Sequence, residues 1–273
     1  MEQQNINLKS LFISLFATLI AVSTLFLVLK SDLGKGFSFL TVALNWIAIA
    51  VLAMKANFWK GMAIWLLLYT VFFGLLGPIP QLVNNLESTR NLYFHVCMWF
   101  AMIFLFLASV IYSILFLAKE KIKYDVFAEG AAHAGIILGI LGLLTGMVWA
   151  RYTWGKFWSG DPKQIYTAIG LLLYVGYFIL RGALTDEIKR ARLAAVVNVF
   201  AFPSLIVLLY VLPRMLESLH PGNEGTMVLS SEDVNNNMRL VFYPAIVGWT
   251  LLGVWISSLR IRAKLLEQEI INY

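Results

Sequence analysis

Residues 91–118, NLYFHVCMWFAMIFLFLASVIYSILFLA, contain no Lys, Arg, Asp or Glu. Because a helix rises about 1.5 Å per residue, roughly 17–25 residues are enough to cross the hydrocarbon core of a bilayer. A strand of this length without alternating polar and apolar residues is not expected. The stretch therefore predicts a helix that spans a membrane.

Similar uncharged runs extend along the rest of the sequence. Only 13% of the 273 residues are charged and 60% are hydrophobic, whereas a soluble protein has about 25% charged residues. Too few polar residues are present to cover a soluble core of this size. We predict an all-α, polytopic integral membrane protein with about eight transmembrane helices, at residues 11–29, 36–54, 61–79, 91–118, 130–150, 164–180, 193–213 and 240–259.

The distribution of basic residues predicts the orientation of these helices. With a cytoplasmic N-terminus, most of the 21 lysines and arginines lie on the cytoplasmic side, chiefly at 119–123 and 189–192, as the positive-inside rule requires. Eight spans then place both termini in the cytoplasm and the connection 151–163 outside. The first run, 11–29, is as long as the others and no small-residue cleavage site follows it, so we expect a retained helix.

Several function classes lack support in the sequence. The formal charge of +6 is not gathered into a stripe on a soluble face, which argues against a nucleic-acid partner. Cys97 is the single cysteine, so neither an intramolecular disulfide nor a Cys-x-x-Cys pair can form. Motifs of hydrolases and phosphate-binding loops are absent. No catalytic residue is therefore assigned.

The connection 151–163, RYTWGKFWSGDPK, is aromatic and basic. Tryptophan planes such as Trp154 and Trp158 beside cations suit a flat, apolar, anionic ligand. The end of this connection also predicts a helix start, because Asp161 can cap a helix and Gln164 is placed for a capping box. A purely mechanical role for Asp161 is the alternative to a role in a site.

Small residues predict close helix packing within the run 130–150. Gly135, Gly139, Gly142 and Gly146 lie on one helical face, and small residues at such spacing let helices approach closely in lipid. We interpret this face as a packing signal. Pro203 lies inside another predicted helix and is expected to kink it.

His95 lies about one turn inside the predicted outer boundary. Trp99 follows four residues later, so both side chains share a helical face that continues with Met102 and Phe106. A lone histidine near a helix end can be a hydrogen-bonded interface residue. Near an apolar pocket and water it can also be a ligand.

Two further histidines complete the set. His220 lies in an outer connection and can be a solvated turn residue, while His133 lies at the opposite, cytoplasmic end of its helix. We expect His133 to be a helix-interface residue, and the alternative is a ligand for haem that enters from the cytoplasmic side. His95, His220 and the connection 151–163 fall on one side of the membrane, and two imidazoles can complete the coordination of haem iron.

Three sequence segments resemble the haem-handling proteins of cytochrome c maturation, the CcmC, CcmF and CcsA types. WGKFWSGDPK at 154–163 is similar to their tryptophan-rich WWD signature, YFHV at 93–96 to their first external histidine, and LHPG at 219–222 to their second. The resemblance covers about residues 88–262. Gly160 stands where these families usually have a tryptophan.

The resemblance implies a membrane protein that binds haem at the outer face and presents it for cytochrome c maturation. Haem b would be a transient cargo, delivered to a haem chaperone or to apocytochrome c, with other maturation subunits as partners in a bacterial cytoplasmic membrane. The implied iron ligands are His95 and His220, and the other implied haem-binding residues are Trp99, Trp154, Gly155, Trp158, Asp161, Arg151 and Lys156.

The resemblance also implies a division of the chain. Residues 1–90 would be additional N-terminal helices with three spans, residues 91–262 the cytochrome c assembly domain, and residues 263–273 a cytoplasmic tail. Two activities are compatible with it: haem delivery alone, or participation as a haem lyase or synthase subunit.

Two other functions are compatible with the composition. One is a haem-free permease or transporter subunit, which should show broken helices or ionisable groups at the bilayer midplane. No such group lies centrally in the eight runs. The other is a membrane anchor with a b-type haem for electron transfer, which usually has histidines deep in facing helices.

Overall fold

The computed structural model describes residues 8–30, 58–77, 87–220 and 234–271. Within these ranges seven helices are long and apolar enough to cross a membrane, and no strand occurs. The predicted all-α polytopic class is confirmed. The predicted span 36–54 lies outside the described residues. The long helices are α1 (Leu8–Lys30), α2 (Trp59–Leu76), α3 (His95–Lys119), α4 (Ile122–Trp154), α5 (Pro162–Ala183), α6 (Glu187–Ile206) and α7 (Asn236–Ile271).

The chain divides into two compact units. The first comprises the described residues within Met1–Tyr93 and Ser231–Leu252, and the second those within Phe94–Ser230 and Gly253–Tyr273. In the first unit α1 packs on α2: the Trp65 Nε1–H donates to the carbonyl of Leu11 over 3.2 Å. The candidate site residues named above all lie in the second unit.

In the second unit the glycine face of α4 packs on the face of α3 that begins with His95. Every glycine of that face meets a large side chain of α3, because the two helices run antiparallel and keep the same register. The two sequence patterns therefore form one interface, and the packing signal is confirmed. The pairs are Phe106 with Gly135, Met102 with Gly139, Trp99 with Gly142 and His95 with Gly146.

A buried cluster of charges joins helices of the second unit. Arg181 of α5 binds both carboxylate oxygens of Asp125 over 2.6 and 2.7 Å and an oxygen of Glu129 over 2.8 Å. Lys264 of α7 also pairs with Glu129. Charges can be buried when they are paired in this way. Asp125, Glu129 and Arg181 flank the uncharged runs of the sequence and interrupt none of them.

Helix α6 ends in irregular turns that lead to His220. Pro203 lies inside α6, and α geometry continues to Ile206. A π-helical turn at Val207–Val211 and a 3-10 turn at Leu212–Met215 follow. The departure from α geometry thus begins after the proline, and the chain continues from there to residues 216–220.

Candidate functional site

His95 is the first residue of α3, and its imidazole lies against the backbone of α4. The His95 Nδ1 atom is 2.7 Å from the carbonyl oxygen of Gly142 and 3.3 Å from the Trp99 Nε1 atom. One ring nitrogen cannot donate and accept at the same time, and the shorter contact assigns a proton to Nδ1. The Nε2 atom then carries the lone pair, and it has no hydrogen-bond partner in the part of the chain that the structure describes.

The glycines of α4 form the wall against which these two side chains pack. A Cβ atom on Gly146 would be 2.4 Å from Cε1 of His95, and one on Gly142 would be 3.0 Å from Cε2 of Trp99. A side chain at position 146 would therefore overlap the imidazole, and one at position 142 would force the indole to shift by a few tenths of an ångström. Sequence reasoning treated this face as packing alone, whereas two of its members also shape the pocket of His95.

Two glycines in left-handed conformations shape the connection between α4 and α5. Gly155, with φ of 79°, ends α4, and its carbonyl accepts a hydrogen bond from the Arg151 guanidinium. Gly160, with φ of 78°, turns the chain just before α5. L-residues with a Cβ atom rarely adopt this conformation. The backbone conformation at residue 160 therefore favours glycine.

The start of α5 differs in one respect from the predicted capping box. The Gln164 Oε1 atom accepts from the backbone N–H of Ser159 over 2.9 Å, and not from the N–H of the cap residue Asp161. The Asp161 N–H instead faces the Ser159 hydroxyl at 3.3 Å. The reversal at Gly160 brings Ser159 back over the first turn of α5, which accounts for the change of partner.

Asp161 connects this turn to the chain segment that carries His220. Its carboxylate caps α5 by accepting from the Lys163 N–H over 2.9 Å. It also accepts from the Ser218 hydroxyl over 2.9 Å, from the Leu219 N–H over 2.7 Å and from the His220 Nδ1 atom over 2.8 Å. The side chain of Asp161 is 1% exposed. The predicted cap is confirmed, and the carboxylate does more than cap.

These contacts change the acidity of Asp161. Burial by itself would raise the pKa of this carboxyl, but the hydrogen bonds that it accepts from His220, Leu219 and Ser218 outweigh burial. They hold the pKa of Asp161 well below its ordinary value of 3.8. The carboxylate is therefore ionised at neutral pH and accepts from every one of its partners.

Two tryptophans flank the imidazole of His220. The Trp154 ring centroid lies 4.7 Å from that of His220 in an edge-to-face arrangement, and the Trp149 centroid lies 5.8 Å from it. Trp149 and Trp154 contact each other at 5.0 Å. Sequence reasoning missed Trp149 because it lies inside the apolar run of α4. Its position five residues before Trp154, at the same helix end, was the available signal.

The remaining predicted residues of the connection lie at its surface. Arg151 and Lys156 are exposed, and the Trp158 side chain is 43% exposed. Arg151 donates to Gly155 within its own turn. Among the described residues, none of these three side chains forms a hydrogen bond or a ring contact with either imidazole.

The structure brings His95, His220 and the aromatic connection to one end of the second unit. The His95 ring lies against Gly146 of α4, and the His220 ring lies 5.8 Å from Trp149, three residues further along the same helix. His133 lies elsewhere on α4, with its ring 4.7 Å from that of Phe178 on α5. No cluster of three or more His, Cys, Asp or Glu side chains suited to a metal ion occurs in the described ranges.

Comparison with known proteins identifies the family. The sequence matches the family described as heme exporter protein C (CcmC) over residues 39–272. This range begins well before residue 88, where the motif resemblance began. It includes part of the segment 1–90 that sequence reasoning set apart.

Individual relatives agree with this match. Heme exporter protein C of Paracoccus denitrificans is 24% identical over 191 residues, which cover 70% of this chain and 79% of that protein. Heme exporter protein C of Escherichia coli is 22% identical over 193 residues, or 71% of this chain and 77% of that protein. The cytochrome c biogenesis protein CcsA of Prochlorococcus marinus is 34% identical over 92 residues, which cover 34% of this chain and 29% of that protein.

The extent of the family match and the apolar helices lead to one conclusion. The match covers most of the chain, and seven described helices have the length and apolar composition of membrane spans. This chain is a multi-pass membrane protein that belongs to the heme exporter protein C family.

Proposed function

We propose that this protein binds haem at the outer face of the membrane and presents it for cytochrome c maturation. The observation that supports this most directly is the state of the two imidazoles. Each Nδ1 atom is held by an oxygen, of Gly142 for His95 and of Asp161 for His220. Each Nε2 atom is left with a lone pair for iron.

Aromatic side chains near both histidines suit a porphyrin. Trp149 and Trp154 border His220, and Trp99 borders His95 at 6.0 Å between ring centroids. Indole rings pack favourably on a flat conjugated ligand. Trp158, which is partly exposed, would extend this apolar surface at the rim of the connection.

Cations on the same connection would pair with the haem propionates. Arg151 and Lys156 are exposed on the turn that carries Trp154. An arginine can bind a carboxylate with two parallel hydrogen bonds. In this arrangement Arg151 would exchange its contact with the Gly155 carbonyl for a propionate, and Gly155 would keep the turn closed.

The cellular setting follows from the orientation predicted by the basic residues. Both termini would face the cytoplasm, and the haem site would face the periplasm of a bacterium with this protein in its inner membrane.

Haem b would be held transiently and passed to a haem chaperone or to apocytochrome c, beside other maturation subunits. Delivery alone would suffice for this role, and a part in a haem lyase or synthase would use the same site. Residues 91–262 would form the assembly domain.

The ionisable groups do not favour the alternative of a transporter without haem. Ion-coupled transport usually needs such groups at a binding site near the midplane. The buried charges of α4 and α5, Asp125, Glu129 and Arg181, are paired with one another. They suit a structural brace between helices.

Haem binding can be tested with the three histidines of the chain. His95→Ala and His220→Ala should each reduce the Soret absorbance of protein purified from haem-replete cells, because each removes one iron ligand. His133→Ala is the matched control, since its ring contacts Phe178, and it should keep the wild-type spectrum. Wild-type protein without a Soret band, or equal spectra for all three variants, would contradict the proposal.

A further inference from the structure

We propose that Asp161 is a positioning residue for the haem iron, acting through His220. By accepting the Nδ1 proton, its carboxylate fixes the tautomer and direction of the ring and makes the Nε2 atom a stronger electron donor. This inference rests on the proposed function, because it requires that His220 ligates haem. It adds to that function that His95 and His220 would bind iron with unequal strength.

The two histidines would bind iron with unequal strength because their Nδ1 atoms have different hydrogen-bond partners. Nδ1 of His220 is 2.8 Å from an oxygen of Asp161, which is ionised and 1% exposed. Nδ1 of His95 is 2.7 Å from the Gly142 carbonyl, which carries no net charge. A buried carboxylate raises the basicity of the imidazole it binds, and a neutral carbonyl does so less. His220 would therefore stabilise ferric iron more strongly than His95 does.

Asp161 makes more contacts than a helix cap requires. Asp186 caps α6 by accepting from the Lys189 N–H over 2.7 Å, and that contact is exposed. Asp161 makes the equivalent contact to Lys163, and three further donors reach it from residues 218–220. Capping explains only the first of these contacts. The others hold the segment that carries the imidazole.

The surroundings leave one edge of the His220 ring for a ligand. Asp161 holds the Nδ1 edge, and Trp149 and Trp154 flank the ring. The side chain is 18% exposed, and its Nε2 atom has no hydrogen-bond partner among the described residues. Asp161 would therefore fix how the Nε2 atom is presented.

Asp161→Asn tests the inference, with Asp186→Asn as the matched control. Asparagine caps helices about as well as aspartate, so α5 should still form, but the charge that acts on His220 is lost. We expect about 10- to 100-fold weaker haem retention and a more positive midpoint potential, with an altered ferric electron paramagnetic resonance spectrum. Asp186→Asn should match the wild type in haem retention, midpoint potential and resonance spectrum. Each readout is taken per folded, haem-loaded protein.

A double variant shows whether Asp161 acts through the ring. In a His220→Ala background, Asp161→Asn should weaken haem retention no further. An additional loss there, or Asp161→Asn protein with wild-type retention, potential and resonance spectrum, would overturn the inference. The proposed function would survive either result if His220→Ala alone reduces the Soret band. Wild-type protein that binds no haem would instead overturn the proposed function.

A second test leaves Asp161 unchanged, so it does not depend on whether the Asp161→Asn protein folds. In a His220→Gly protein, added imidazole can fill the vacated position and donate its N–H to Asp161, whereas 1-methylimidazole has no N–H to donate. Imidazole should restore the low-spin haem spectrum at a concentration about 10- to 100-fold lower than 1-methylimidazole requires. Equal concentrations for the two compounds would overturn the role of Asp161.

Discussion

The backbone of α4 at Gly146 forms one wall of the pocket around the His95 imidazole. A Cβ atom there would be 2.4 Å from Cε1 of the ring. Gly146→Ala should therefore displace the imidazole and reduce the Soret absorbance, at a cost of about 1–3 kcal/mol in stability. Gly176→Ala is the control, because no atom lies within 4 Å of its added Cβ. A Gly146→Ala protein with normal haem content would contradict this account of the pocket.

The left-handed turn at Gly160 predicts that alanine is costly there and tolerated at Gly182. No atom lies within 4 Å of a Cβ added to Gly160 or Gly182, but only Gly160 has a positive φ, of 78°. Gly160→Ala should cost about 1–2 kcal/mol through backbone strain, whereas Gly182→Ala should be neutral or stabilising by up to about 1 kcal/mol. Thermal unfolding in detergent measures both. Equal melting temperatures would show that the turn is not strained by a side chain.

The lowered pKa of Asp161 predicts a dependence of stability on pH. The pKa of the folded state lies below the ordinary value of 3.8 that applies on unfolding. The stabilisation by Asp161 is therefore fully present above about pH 4 and is lost as the pH falls through the folded pKa. The melting temperature of the wild type should approach that of Asp161→Asn as the pH is lowered from 5 towards 2. Parallel curves over this range would contradict the prediction.

The buried charge cluster should contribute strongly to stability. Arg181 and Asp125 are each 5% exposed, so Arg181→Met leaves the Asp125 carboxylate buried without the cation that pairs with it, while Glu129 keeps Lys264. Loss of one partner from a buried pair costs about 3–5 kcal/mol. Arg192→Met is the control, because Arg192 and Glu120 form an exposed pair worth about 0–1 kcal/mol. Similar melting temperatures for the two variants would contradict a bracing role.

The positions of the helices could be predicted from sequence because the thickness of a bilayer dictates the length of each uncharged run. The runs at 91–118 and 130–150 correspond to α3 and α4, and the cap at Asp161 followed from local residue preferences. These features depend on residues close together in the chain. Local sequence is enough to specify them.

The contacts between distant segments could not be predicted in the same way. Asp161 and His220 are 59 residues apart, and no local pattern indicates that their side chains meet. The glycine face of α4 and the His95 face of α3 were each visible, but their register depends on how the helices pack. Arg181 marked the end of an apolar run, and its buried partner Asp125 lies on another helix.

The glycine register also affects how firmly each half of the proposed site is held. Rotation or sliding of α3 would break the contacts of four side chains with α4 at once. The packing of the two helices therefore holds His95 in place. The short segment 216–220 is attached to Asp161 by hydrogen bonds from Ser218, Leu219 and His220. Exchange of cargo would therefore start with local unfolding of this segment, while the histidine on α3 stays in place.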